Sequence, residues 1–209
     1  MRLYNLFNFL AEVNMFIASL FLSLWAGLIA PSPATTSTAA PLANNTPAKA
    51  AETRTVEKIS WSDSRRLTWE DFKGVPETDN PHHALTAANL AVDAKCNSNA
   101  FTYEVKCVFL PEESWSKNKK SASLLGHEQL HFDLTEVHAR QLRKKLKALG
   151  TNCSNMKGNL NTTVSSAFKE WKAEQDLFDK SCSHGLNKEE EALWAANIAQ
   201  RLKELQAYK

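Results

Sequence analysis

The sequence predicts an α+β fold, a small antiparallel sheet followed by three helices. Two stretches in the first half, "HALTAANLAVDAKC" and "FTYEVKCVFL", alternate Val, Phe and Tyr with polar residues, as half-buried strands do. Three longer stretches in the second half carry apolar residues at helical spacing. Strand patterns come first and helix patterns after, so the two are segregated rather than interleaved.

The N-terminal part stands apart. Met15 to Ala30, "MFIASLFLSLWAGLIA", is free of charge and follows Arg2 at a distance. It falls short of the ~20 residues of a membrane span and resembles the apolar core of a secretory signal, with Ser32-Pro-Ala34 or Thr38-Ala-Ala40 ahead of a cleavage site. The alternative is an uncleaved anchor that tethers the protein to the membrane through residues 15–30. In both cases the remainder is exported, to the periplasm or the extracellular space. Residues 31–56 are rich in Pro, Ala, Thr and Asn, have nothing to pack, and read as a disordered linker. The folded domain spans residues 57–209.

Within it, "ISWSDSRRLTWEDFKGVPETDNP" reads as a strand and loops, with Trp69 and Phe72 as core anchors and His82 and His83 solvated in the loop after Pro81. The two strands follow, then the loop "PEESWSKNKKSAS". A first helix starts at an N-cap on Ser121 or Ser123 and runs to Leu149, closed by Gly150. A second runs from about Thr162 to Phe178 on the stripe Val164, Phe168, Trp171 and Phe178. A third starts after Asn187, with three acids in its first turn where the helix dipole favours them, and turns Leu193, Trp194, Ile198, Leu202 and Leu205 inward.

Lys and Arg total 25 and Asp and Glu 23, with no basic block, so nucleic-acid binding has no electrostatic footprint. The four cysteines, Cys96, Cys107, Cys153 and Cys182, include no C-x-x-C pair. An even number in an exported chain predicts two disulfides: Cys96 with Cys107 across a hairpin, and Cys153 with Cys182 by elimination.

The chemistry lies in "LLGHEQLHFDLTEVHARQL" on the first helix. Residues of a helix advance by about 100° and rise about 1.5 Å, so His127 and His131 lie about 40° apart and both imidazoles reach one ion. Glu128 sits beside them, placed to accept the proton of a water activated by zinc. This is the physical content of H-E-x-x-H, the zincin-like active-site helix. Such matches also arise by chance on exposed helix stripes. Here, however, Leu124, Leu125, Leu130 and Leu134 anchor the helix in a core. Gly126, at a cost of about 1 kcal/mol in a helix, leaves room for an approaching chain.

A third ligand must come from elsewhere. His138 lies about 10 Å along the axis from His131, and Glu136 faces away from His127. If the second helix folds back antiparallel, the chain returns to the histidines near residue 179, at "DLFDKSCSHG". Glu170 and Glu174 fall short of the site, leaving His184, at the break before the third helix, and Asp179 as the alternative. A Cys153–Cys182 bond would draw the far end of the first helix to the same place, so that bond and the simple antiparallel return compete.

"LTWEDFKGVP", "GHEQLHFDLTEVHARQL" and "FDKSCSHGLNKEEEALW" follow one another in the order found in a bacterial domain-of-unknown-function family whose members are predicted secreted zinc-dependent proteases. The chain resembles that family over about residues 57–207. Its last block there usually reads Tyr-Asp-x-x-Thr-x-His; this chain has Phe178 and Cys182 at the Tyr and Thr places and keeps Asp179 and His184. The resemblance implies a role for His184. Together these observations lead to the expectation of an exported zinc peptidase acting on peptide or protein substrates. Zn2+ would be bound by His127, His131 and His184 or Asp179, with Glu128 as general base. A binding or envelope-structural module that keeps the fold and the metal without turnover is the rival reading.

Overall fold

The computed structural model describes residues 56–209, apart from Lys157 and the side chain of Asn155. The expected signal or anchor (1–30) and nearly all of the expected linker (31–56) lie outside the described residues. Five strands, β1 (Ile59–Ser60), β2 (Ala84–Leu85), β3 (Ala88–Asn97), β4 (Ala100–Phe109) and β5 (Trp115–Ser116), precede the helices. These are α1 (Ala122–Ala148), the one-turn α2 (Cys153–Met156), α3 (Asn159–Ser181) and α4 (Lys188–Glu204). The α+β architecture is the expected one. β1, β4 and β3 form an antiparallel sheet in that order, β2 and β5 a separate two-stranded ribbon, and three long helices follow. β5 lies in a stretch that the sequence reads as loop. No helix among the described residues is long and apolar enough to cross a membrane.

β3 and β4 pair along their whole length, from Ala88↔Phe109 to Asn97↔Ala100. The turn between them is Ser98-Asn99, with φ of 48° and 66°. Positive φ at both central residues is the turn whose twist matches the flanking strands. Asn99 accepts that conformation readily, and the strand pairing holds Ser98 in it.

This register overturns the expected disulfides. Cys96 lies opposite Phe101 and Cys107 opposite Leu90, so about 20 Å of strand separates Cys107 from the partner position of Cys96. The turn sits close to Cys96 rather than midway between the two cysteines. Cys96 is bonded to Cys153 instead, with Cα atoms 5.9 Å apart. The Phe101 N–H donates to the Thr151 carbonyl (2.7 Å) and the Cys153 N–H to the Asn99 carbonyl (3.1 Å), which brings α2 against the hairpin tip. Cys107 and Cys182 are free and buried.

Helix α1 starts at Ser121, whose hydroxyl accepts from the Leu124 N–H, and is buried on two opposite faces. On one, Leu130, Leu134 and Val137 pack with Phe178 and Cys182 and with Ile198 of α4. On the other, Phe132 meets Phe109 of the sheet, which in turn meets Phe72 and, through it, Trp69. Trp69 and Phe72 are thus the core anchors expected. Gly74 lets their loop close: its N–H donates to the Ser114 carbonyl at 2.8 Å, and a Cβ there would lie 2.9 Å from the carbonyl oxygens of Glu112 and Ser114. α4 departs from expectation at one position, since Leu193 is exposed.

Glu174 of α3 ties the helices together. It accepts from His138 Nε2 of α1 at 2.7 Å and from both guanidinium nitrogens of Arg201 of α4 at 2.5 and 3.0 Å. Burial raises the Glu174 pKa, but the His138 and Arg201 hydrogen bonds outweigh it and hold it at about 2, against an ordinary 4.5.

Non-reducing peptide mapping should therefore recover a Cys96–Cys153 cross-link, with Cys107 and Cys182 alkylated only after unfolding; a Cys96–Cys107 peptide would refute the register. The Glu174 clamp has a signed pH dependence. Its folded pKa lies below the unfolded one, so its contribution is complete above about pH 4.5 and is lost as pH falls toward about 2. Thermal unfolding of Glu174→Gln should give a lower Tm at neutral pH and a flatter decline between those two pH values than wild type. Parallel curves would show that the clamp contributes nothing.

Candidate metal centre

His127 and His131 stand one turn apart on α1, and α3 returns antiparallel to them, so that Asp179 in its last turn arrives between the two rings. His127 Nε2 lies 3.1 Å from Asp179 Oδ1, His131 Nε2 lies 3.2 Å from the same oxygen, and the two Nε2 atoms are 3.2 Å apart. Three metal-ligand atoms thus converge on one point. Donor atoms about 2.1 Å from a tetrahedral ion sit about 3.4 Å from one another, close to the observed spacing.

The outer nitrogens decide what those inner atoms present. His127 Nδ1 faces Glu191 Oε2 at 3.1 Å, and His131 Nδ1 faces Gln175 Oε1 at 2.6 Å. The orientation of the Gln175 amide follows from its nitrogen, which donates to the His131 carbonyl and the Thr135 hydroxyl, both at 3.0 Å. Carboxylate and amide oxygens only accept, and a neutral imidazole has one N–H. With that proton on Nδ1 in each ring, both Nε2 atoms turn lone pairs toward a carboxylate oxygen. A cation, whether metal ion or proton, must sit among them.

The electrostatics agree. Burial lowers the His131 pKa, but the hydrogen bond to Asp179 and the charges of Glu128 and Asp179 outweigh it and the net shift is upward. Burial of Asp179 pushes its carboxyl up, yet the hydrogen bonds of His127 and His131 hold it far below the usual carboxylate range. Phe178, fully buried, closes one side, with ring centroids 4.7 Å from His127 and 4.8 Å from His131.

Glu128 is buried at 4 % exposure, and its carboxylate forms no hydrogen bond or ion pair with another described residue. Its main-chain carbonyl accepts from Thr86 Oγ1 at 3.2 Å. Directly before the motif, Gly126 is exposed, with no other described element within 4 Å of where a Cβ would stand.

His184 is held differently. Ser183, His184 and Gly185 are three consecutive residues with positive φ, 47°, 53° and 83°. This conformation costs about 1–2 kcal/mol at each of the first two. Main-chain bonds enforce it: the His184 N–H donates to the Asp179 carbonyl (2.9 Å) and the Asn187 N–H to that of Cys182 (2.9 Å). The turn brings His184 Nδ1 to 3.3 Å from Asp179 Oδ1 with the side chain still 57 % exposed, and stacks its ring edge-on against half-buried His82. His184 therefore borders the converging set without joining it. Of the other candidates weighed, Glu136 binds Arg140 and Arg143, and Glu170 pairs with Lys145. His138 is buried against Glu174 rather than lying on the surface. Glu191 and Gln175 are the contacts that sequence reasoning missed. Glu191 sits in a run of three acids that the helix dipole alone explains, and nothing marks Gln175 apart from its place one turn before Asp179.

No curated protein and no solved structure gives a match to this chain. A family model described as bacterial protein of unknown function, DUF922, matches residues 52–185. That segment contains the hairpin, the H-E-x-x-H helix, Asp179 and His184, and stops short of α4 with its Glu191. The chain belongs to the DUF922 family of bacterial proteins.

Proposed function

We propose that the protein is an exported zinc-dependent peptidase whose ion is held by His127, His131 and Asp179, with Glu128 as the general base. The observation that carries the reading is the convergence of two Nε2 lone pairs and a carboxylate oxygen beside a buried carboxylate with no partner among the described residues. Two histidines and one carboxylate are a donor set that hydrolytic zinc uses, leaving a position open. A bound zinc ion would supply a water acidic enough to ionise near neutral pH and would polarise the carbonyl under attack.

The chain's own residues supply the rest. A Glu128 oxygen takes the proton of the attacking water and passes it to the nitrogen of the departing amine. Glu191 and Gln175 hold the imidazole protons outward, so that both Nε2 atoms stay available. His184 holds Asp179 from the solvent side, which makes it a support for the carboxylate ligand rather than a ligand itself. Phe178 keeps water off the inner wall, and the open surface at Gly126 admits the peptide.

The experiment is a set of variants read for both metal and turnover. Wild type should hold about one zinc per chain and His127→Ala none. Glu128→Gln should keep its zinc while hydrolysis of a peptide library falls by a factor of about 10² or more. Asp179→Asn should weaken zinc binding more than His184→Ala, for which the loss of a supporting contact predicts about 10–100-fold. The reverse order would make His184 the ligand. Full zinc occupancy in His127→Ala would refute the site, and a zinc-loaded wild type that cleaves nothing would favour the non-catalytic binding module.

A further inference from the structure

We infer that Glu191, on the helix that follows the family-matched segment, is a positioning residue of the metal site, fixing both the ring orientation and the tautomer of His127. The inference rests on the zinc reading above and deepens it. Glu191 Oε2 lies 3.1 Å from His127 Nδ1, and the two side chains are only 14 % and 3 % exposed. A carboxylate accepts and cannot donate, so the contact requires the proton on Nδ1. A neutral His127 then keeps its lone pair on Nε2, the atom that faces Asp179 and His131. In the opposite tautomer an N–H would project into the point where the donor atoms meet, and a bare Nδ1 would confront the carboxylate.

Glu191 is itself held in place. Lys188 Nζ binds its other oxygen at 3.0 Å, and Asn187 caps the helix by accepting from the Glu190 N–H. A second observation points to the same contact. Gly185, at φ 83°, passes so near that a Cβ would stand 3.1 Å from His127 Cγ and 3.3 Å from Glu191 Oε2. A bare backbone is therefore needed where the left-handed turn closes over the pair. The two imidazoles are not equivalent, since His131 is backed by the neutral amide of Gln175. A negative charge behind a ring raises its basicity as a ligand more than an amide does, so His127 is the stronger donor of the two.

The test uses the full chain and zinc itself, titrated in competition with a chromophoric chelator. Glu191→Ala should bind zinc about 10–100-fold more weakly than wild type. Glu191→Gln, whose amide oxygen still accepts from Nδ1, should lose less. Nitrogen-15 imidazole shifts of the metal-free protein should show His127 with its proton on Nδ1 in wild type and redistributed in Glu191→Ala, with His131 unchanged. Should the alanine variant fail to fold, the glutamine variant carries both readouts. Equal zinc affinity in wild type and Glu191→Ala, or a wild-type His127 protonated on Nε2, would overturn the inference. A wild type that takes up no zinc overturns the metal reading instead, and the imidazole shifts then decide the part of Glu191 by themselves.

Discussion

Helix α1 is buried along both faces yet carries Gln129, Asp133, Glu136, His138 and Arg140 in those buried positions, and a buried polar group without a partner costs about 1–3 kcal/mol. Satisfying that requirement organises most of the described structure. Gln129 and Asp133 draw in the N-terminal segment: the Leu67 N–H donates to Gln129 at 2.7 Å, while Trp61 Nε1 and Arg66 donate to the two oxygens of Asp133. Glu136 pairs Arg140 with Arg143, whose guanidinium groups run on to the carbonyls of Leu202, Val105 and Tyr208. The C-terminal end of the chain is thereby fastened to the helix and, through Val105, to the sheet. His127 and His131 are the same kind of obligation at the other end of α1, met by α3 and α4. The difference is that their inner atoms are all acceptors, so this one group of partners closes only around a cation.

The sequence carried the skeleton of this arrangement because its signals are local. Period-two alternation found β3 and β4, Asn187 marked one helix start and Ser121 or Ser123 another, of which the structure uses Ser121, and the spacing of His127 and His131 put both rings on one face. Counting residues back along an antiparallel helix located the returning chain at Asp179, since rise per residue is nearly constant. What it did not carry depends on rotation and register. The placement of His184 beside Asp179 turns on three consecutive positive φ values, which a run of Ser, His and Gly does not announce. The Cys96–Cys153 bond follows from a two-residue turn placed at Ser98-Asn99; the even count of cysteines was visible, but their partners were not.

The same logic explains why the tension between a Cys153–Cys182 bond and an antiparallel return disappears. Cys153 lies past the far end of α1 and is drawn to the hairpin tip, while Cys182 ends α3 inside the core with Leu130, Leu134 and Val137. The two cysteines therefore belong to opposite ends of the helical layer. Cys182 occupies one of the two places where this chain departs from the block it resembles, and Phe178 the other; both are core positions beside the histidines. The neighbouring Ser181 hydroxyl donates to the Leu177 carbonyl and accepts from Trp194 Nε1. The departures are consistent with one another: both drop a polar group from the same wall.

Metal-free and metal-bound states of such a cluster differ by more than the ion. With Glu191 and Gln175 claiming the outer imidazole protons, the three inner atoms are mutually repulsive unless something positive lies between them. Burial lowers the His131 pKa, but the Asp179 hydrogen bond and the charges of Glu128 and Asp179 raise it on balance, so His131 holds a proton more firmly than an ordinary histidine. Metal would have to displace that proton, so uptake and proton release are coupled, as they are wherever ligands must be deprotonated before they bind. The rings and Asp179 stand within 3.1 to 3.2 Å of one another, within a few tenths of an ångström of the donor spacing around a tetrahedral ion. Glu191 of α4 and Gln175 of α3 meet the outer nitrogens of the two rings, so α1, α3 and α4 all contribute to this geometry.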